Sequence, residues 1–204
     1  MKNEHYTPAQ ASVVTRLPLK AIHKLIDGRL IRPRRLRVGG STQRMLTEEQ
    51  LVYLKLEADG VRLLPLSTRR AVAKAVEASA TKGTLSVSEG PALTIQVAAA
   101  RQEVKQELMR LRKAKQMAVS DPEIMQGAPV YRGTRIPIEL VAEMLSQGAN
   151  IEEILEGYPA LNREKVGLAP LYVSAFPRRG RPAIRPWAGK KPARATRSLR
   201  SLAG

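Results

Sequence analysis

The sequence of 204 residues contains no cysteine, and this absence excludes several kinds of site. There is no disulfide framework, no thiolate metal centre and no cysteine nucleophile. The chain has only two histidines, His5 and His23, and no Gly-rich phosphate loop. Its acidic residues show no converging pair of the kind that acid–base catalysis needs. We therefore expect a protein that is not an enzyme and that carries no metal or other cofactor.

Aromatic side chains and long apolar runs are also scarce. One Trp and one Phe are present, so hydrophobic cores must be aliphatic and the domains small. No apolar run approaches the length of a membrane span, and the start, MKNEHYTPAQ, lacks the apolar segment of a signal peptide. We expect no membrane partner and a cytoplasmic location, with which the lack of cysteine is compatible.

Positive charge is abundant, with a formal net charge of +17, and it is unevenly distributed. Residues 1–60 have a net charge of +5 and residues 61–120 of +7. Residues 121–176 have a net charge of −4, and residues 177–204 of +9 without any acid. Basic regions on both sides of an acidic one predict polyanionic or acidic partners.

The segment from Thr7 to Gly28 has the pattern of two short helices. Thr7 can cap the first helix with Pro8 at its first position, and Pro18 can start the second, which ends at Gly28. On the second helix, one side carries the aliphatic residues Leu19, Ile22, Leu25 and Ile26, and the other carries Lys20, His23, Lys24 and Asp27. Helix, tight turn and helix in this order are typical of a helix-turn-helix.

A basic hairpin is predicted next. Residues 34–38 and 43–47 alternate like strands, and Gly39-Gly40-Ser41-Thr42 joins them. Thr47 and Gln50 then form the sequence pattern of a capping box, which predicts a third helix ending at Gly60.

This order of elements resembles the winged DNA-binding domain of MerR-type regulators and excisionases, through YTPAQASVVTRLPLKAIHKLIDGRLI and LTEEQL. The resemblance implies binding of double-stranded operator DNA, with a helix in the major groove and a hairpin on phosphates or in the minor groove. Our candidate DNA-binding residues are Arg16, Lys20, His23, Lys24, Arg34, Arg35, Arg37 and Arg44. The alternatives are an ordinary solvated basic surface, or a hairpin that contacts another subunit.

Residues 61–119 are less informative. A helix capped by Ser67 or Thr68, a hairpin around Ser88–Pro91 and a helix from Ala98 to about Lys115 are expected. The last helix carries a loosely heptad-like stripe, Val97, Val104, Leu108 and Leu111. This stripe can pair two copies in the homodimer that a small DNA-binding protein usually forms, or it can pack on its own chain.

The segment Asp121–Pro137, DPEIMQGAPVYRGTRIP, combines two Gly-containing turns, a small hairpin across Gly133-Thr134 and a helix begun at Pro137. Together with IEEILEGYPALNRE and PRRGRP, it resembles the domain-of-unknown-function 433 family, a VapB-type antitoxin module. That resemblance implies a trihelical, homeodomain-like fold and a PIN-like ribonuclease toxin as partner. Pro170 departs from the usual pattern and should bend or interrupt the third helix.

The basic tail, residues 177–204, contains Pro and Gly but no acidic residue, so it cannot build a core alone. The resemblance implies that arginines of this tail enter the carboxylate cluster of the toxin, where bidentate pairing would block metal and RNA. The candidate toxin-binding residues are Arg178, Arg179, Arg181, Arg185 and Trp187. The alternative is a solvated tail that adds general DNA affinity.

Together, the sequence predicts a mainly α fold with small β-hairpins. Its expected parts are a winged helix-turn-helix in residues 1–80, a connecting hairpin and helix in 81–119, an antitoxin-family domain in 120–176 and the basic tail. The expected function is that of a type II antitoxin that neutralises a PIN-like ribonuclease and represses its own operon. A stand-alone DNA-binding regulator is the alternative.

Overall fold

The computed structural model describes residues 4–38, 40–87 and 93–178. Within them the chain is mainly helical with small antiparallel strand pairs, as the sequence predicts. The helices are α1 Pro8–Thr15, α2 Leu19–Asp27, α3 Glu48–Asp59, α4 Leu66–Ala78, α5 Ala98–Met117, α6 Ile138–Ser146, α7 Ile151–Gly157 and α8 Arg163–Ala175. The strands are β1 Arg34–Val38, β2 Ser41–Met45, β3 Thr84–Val87, β4 Leu93–Gln96, β5 Ala118–Val119 and β6 Val130–Tyr131. No helix in this part of the chain combines the length and apolar character needed to cross a membrane.

Side-chain caps fix most of the predicted helix starts. Thr7, Thr47 and Asn150 each accept a hydrogen bond from the third helical residue in a reciprocal capping box, and Asn162 caps α8. The expected cap of α4 by Ser67 or Thr68 is wrong, because that helix already begins at Leu66, with Pro65 at the N-cap position. Proline supplies the helix-entry geometry there without any side-chain cap.

The first hydrophobic cluster joins α1, α2, α3 and α4 to the β3–β4 pair and most of α5. Its fully buried residues include Ala11, Ile22, Leu51, Leu54 and Val72. The backbone of Tyr6 pairs with that of Leu46 in both directions, at 2.9 and 2.8 Å, and so ties the start of α1 to the end of the β1–β2 hairpin. The segments on either side of the α1–α2 pair and the hairpin are therefore held together at Tyr6 and Leu46.

Helix α5 settles the alternatives left open for its apolar stripe. Val97, Val104, Leu108 and Leu111 are all at most 4% exposed within a single chain, packed in the first cluster. The stripe therefore packs on its own chain and is not available to pair two copies. Further along the helix, Ala114 and Met117 belong to the second cluster, so α5 is shared by both.

The second cluster fills the C-terminal module, defined here as residues 118–178. Strand β5 pairs with β6, and three short helices cover the buried Tyr131, Ile138 and Ile154. The predicted hairpin across Gly133-Thr134 is present as the Val130–Pro137 bridge, with Gly133 at φ +78°. Burial raises the pKa of Tyr131, whose hydroxyl donates to the Lys165 carbonyl at 3.3 Å.

Pro170 does not interrupt α8, so the expected interruption of this helix is wrong. The helix runs unbroken from Arg163 to Ala175. Pro170 lies on the exposed side of the helix, while Val166, Ala169 and Tyr172 are buried. Packing against α1, α5 and α6 outweighs the local cost of the proline.

Candidate nucleic-acid interface

Helix α2 displays the cationic side that the sequence predicts. Ile22 and Ile26 are buried beneath it, whereas Lys20, His23 and Lys24 are exposed. Leu19 differs from the expectation, because it is 41% exposed and lies on the surface instead of in the core. The exposed side of α2 is therefore cationic with one apolar residue at its start.

The β1–β2 hairpin has two chemically different faces. Cross-strand partners lie on the same face of a strand pair, and the register pairs Arg35 with Arg44 and Arg37 with Thr42. The other face carries the pairs Arg34–Met45, Leu36–Gln43 and Val38–Ser41. The structure therefore brings Arg35, Arg37 and Arg44 together and separates Arg34 from them.

Most cations of this surface have no acidic partner within the described residues. No side-chain hydrogen bond or ion pair is present there for Lys20, His23, Lys24, Arg29, Arg32, Arg34, Arg35 or Arg37. Two candidates do have partners. Arg44 donates to Asp27 at 2.7 Å, which ties the hairpin to the end of α2. Arg16 points toward α5, where it lies 3.5 Å from Glu107, so it is directed away from the α2 set.

Two polar side chains of α3, Gln50 and Glu57, are buried and hydrogen-bonded. Gln50, which is 6% exposed, donates to the Arg32 carbonyl at 3.1 Å and to Glu77 at 3.0 Å. Glu57 is 2% exposed and accepts two hydrogen bonds from Arg69, each at 2.9 Å, and one from the Tyr53 hydroxyl. These contacts fix α3 against α4 and against the segment before the hairpin. Burial, and then the hydrogen bond to Glu57, raise the pKa of Tyr53.

The end of α8 lies beside the same surface. An open groove is lined by the start of α1, by Leu19 and His23 of α2, by Val38 of the hairpin and by Phe176 and Pro177. Arg178, the last described residue, lies 3.7 Å from Glu139 of α6. Of the predicted toxin-binding residues, Arg179, Arg181, Arg185 and Trp187 lie outside the described residues.

Comparison with known proteins gives two sequence matches, one to the C-terminal module and one to most of the chain. Residues 119–173, which form most of the C-terminal module, match the family described as protein of unknown function DUF433. Over 190 residues, the chain is 30% identical to the uncharacterized protein y4eO of Sinorhizobium fredii, covering 85% of this chain and 82% of y4eO. The chain belongs to the y4eO family and contains a DUF433 domain.

A crystal structure of Rv2018 from Mycobacterium tuberculosis is also similar, at 15% identity over 81% of this chain and 96% of that one, with a TM-score of 0.29. The DUF433 match confirms the family resemblance of the C-terminal module. The y4eO match extends the similarity over most of the chain.

Two surface cations, Arg29 and Arg32, are absent from the residues predicted from sequence. Arg29 follows α2 with φ +57°, and both line a pocket at the end of that helix with Arg35 and Arg44. The basic run RPRR includes Arg32 and could have indicated it. The sequence around Arg29 does not predict a left-handed conformation there, because such a position usually holds glycine or asparagine.

Proposed function

We propose that this protein binds double-stranded DNA through α2 and the β1–β2 hairpin, as a winged helix-turn-helix would. The observation that supports this most is the set of exposed, unpaired cations on these two adjacent elements, described above. On an ordinary solvated surface, cations are usually interspersed with acids. Here the only acid on α2 is Asp27, and it is already bound to Arg44.

The chemistry of the surface fits a division of roles. Lys20, His23 and Lys24 on α2 have the donors and the helical placement to meet base edges and phosphates in a major groove. Arg35, Arg37 and Arg44 share one face of the hairpin and are suited to phosphate oxygens, because a guanidinium donates two parallel hydrogen bonds. Homodimer formation remains part of the proposal, but it requires a surface other than the stripe of α5.

We further propose that DNA binding serves an antitoxin, which represses its own operon and neutralises a PIN-like ribonuclease. The DUF433 match supports this through the resemblance of that domain to VapB-type modules. The acidic C-terminal module is less suited to DNA, since residues 121–176 have a net charge of −4. The proposed toxin ligands are Arg178, Arg179, Arg181, Arg185 and Trp187, and no catalytic role is assigned to any residue.

The experiment for the antitoxin role uses the full chain and the small acidic PIN-like ribonuclease that we expect in the adjacent reading frame. Co-expression should restore growth with the wild-type chain, and not with a variant in which Arg178, Arg179, Arg181 and Arg185 are Gln and Trp187 is Ala. That variant should still bind its operator. If this variant lost operator specificity and kept neutralisation, the tail would bind DNA and not the toxin. The lack of any such nuclease beside the gene would contradict the antitoxin role.

A stand-alone DNA-binding regulator is the second candidate, and the place where α8 ends favours it. Pro177 lines the groove beside His23, so the last described residues of the chain lie next to the proposed DNA surface. In this case the same tail variant would lose general DNA affinity, with a reduced salt dependence, and no neutralisation would be measurable.

A further inference from the structure

A pocket lies between the C-terminal end of α2 and one face of the β1–β2 hairpin. Four arginines line it, namely Arg29, Arg32, Arg35 and Arg44, together with one acid, Asp27. All four arginines are exposed, so their guanidinium groups are open to a ligand. We refer to these four residues and their pocket as the arginine pocket.

Charge is strongly unbalanced in the arginine pocket. The single carboxylate is already bound to Arg44 at 2.7 Å. The C-terminal end of a helix adds about half a negative charge, which is one structural reason for cations to collect there. Four cations against one carboxylate and this half charge still leave an excess of roughly +2.5. Such crowding is unfavourable for the isolated protein and favourable for a bound anion.

The backbone holds the unpaired arginines in place. Arg29 is left-handed, at φ +57°, and its N–H donates to the Ile26 carbonyl at 3.0 Å. A non-glycine residue in this region carries a local conformational strain, which glycine would remove. The carbonyl of Arg32 is bound by the buried Gln50. Both arginines are therefore fixed at their backbones and free at their side chains.

We propose that the arginine pocket binds one phosphate group. This inference extends the proposed function. It rests on that function in the case in which the phosphate is a phosphodiester of a duplex bound to α2. Two or more guanidinium groups around one phosphate give charge-assisted, bidentate hydrogen bonds, which are among the strongest in proteins. The same chemistry would accept inorganic phosphate or pyrophosphate, so the source of the phosphate is decided by experiment.

The first arm measures binding of a fluorescent duplex by anisotropy as a function of salt, for the full chain. The variants are Arg29→Gln, Arg32→Gln and both together. The control is Arg70→Gln, an exposed arginine of α4 without an ion pair among the described residues. Unfolding midpoints should not change, because the substituted side chains are exposed.

A single shared phosphate makes a specific prediction for the salt slope. Each neutralised phosphate contributes about 0.9 to the slope of log K against log salt. The double variant should therefore lose about one unit of slope and about tenfold or more in affinity, and each single variant should show most of this loss. If the slope losses of the two single variants add to about two units, Arg29 and Arg32 contact separate phosphates. That result would overturn the proposed pocket.

The second arm titrates inorganic phosphate and pyrophosphate into the wild-type chain and into the double variant by calorimetry. Saturable binding that the double variant loses, with unchanged duplex affinity, would support the pocket and assign it to a free phosphate compound. If the double variant changed neither duplex binding nor phosphate binding, the proposed pocket would be wrong. If the wild-type chain failed to bind any duplex, the proposed function would fall, while phosphate binding lost in the variant would still support the pocket.

Discussion

The two halves of this molecule use their charged side chains differently. On α2 and the hairpin, most cations are exposed and have no acidic partner within the described residues. In the C-terminal module, Arg163 pairs with Glu152 and Arg132 donates to the carbonyls of Gln116 and Ala118 at the end of α5. Among the described residues, the most buried ion pair is Glu57–Arg69, which joins α3 to α4.

This comparison suggests which charges hold the fold and which are available to a ligand. A cation that neutralises an acid of its own chain, as Arg44 does with Asp27, gains less from binding a polyanion. A cation without a partner gains most from a phosphate, because no internal pair must be broken first. The distinction predicts different outcomes for substitutions of the same chemical type.

The largest effect is expected at the buried ion pair. Glu57→Ala should lower the free energy of unfolding by about 3–5 kcal/mol, because Arg69 and the Tyr53 hydroxyl lose their buried acceptor. Urea denaturation measures this. The surface pair of the C-terminal module offers the control, since Glu152→Gln should shift the midpoint little. Equal effects of the two substitutions would contradict the distinction between buried and surface charge.

A smaller effect, on binding instead of folding, is expected on α2. Lys20→Gln combined with Lys24→Gln should weaken duplex binding by about 10–100-fold at low salt, because up to two phosphate contacts are lost. Lys74→Gln, at an exposed lysine of α4, should leave the affinity unchanged. Anisotropy with one labelled duplex serves all variants. A similar loss in the control would show that only total charge matters.

Arg132 should contribute to stability and not to DNA binding. Its guanidinium donates to Gln116 and Ala118 at 3.1 and 3.3 Å, so it satisfies carbonyls at the end of α5. Arg132→Gln should cost about 1 kcal/mol in unfolding free energy, by the usual value of such capping bonds. Duplex affinity should stay within twofold of wild type. A large loss of duplex affinity in Arg132→Gln would show that the C-terminal module contacts the DNA.

The smallest effect concerns Glu4 and depends on pH. The hydrogen bond from Arg112 holds the pKa of Glu4 below its ordinary value. A lowered folded-state pKa gives stability that is present above the unfolded pKa and lost as pH falls through the folded one. Because Glu4 is half exposed, the difference between wild type and Glu4→Gln should be under about 1 kcal/mol at pH 7. This difference in stability should disappear toward pH 3. A difference that grew on acidification would contradict the ion pair between Glu4 and Arg112.

Local sequence signals account for much of the fold. The caps at Thr7, Thr47, Asn150 and Asn162 fix helix starts within one turn. Alternation indicates the hairpins, but the second strand of the first hairpin is Ser41–Met45 and not the expected 43–47. The module around Asp121–Pro137 could also be recognised by resemblance, and the DUF433 match confirms it. These features depend on neighbours in the chain, which a sequence displays directly.

Features that depend on distant residues were not predictable in the same way. The stripe on α5 has the same spacing whether it faces another chain or its own, and only the packing of Val104 and Leu108 decides between them. The position of α8 against α1 brings Pro177 beside His23, across more than 150 residues of sequence. The arginine pocket likewise arises from a left-handed residue and the register of a hairpin, which composition does not reveal.

The central claim is that the unpaired cations of α2 and the hairpin bind nucleic-acid phosphates. The most direct test is the salt dependence of duplex binding for the wild-type chain and for a variant with Lys20, Lys24, Arg35 and Arg37 all changed to Gln. We predict a steep linear dependence for the wild type and a slope smaller by about 3–4 units in the variant, at about 0.9 per phosphate contact. Equal slopes and equal affinities for the two chains would contradict the claim.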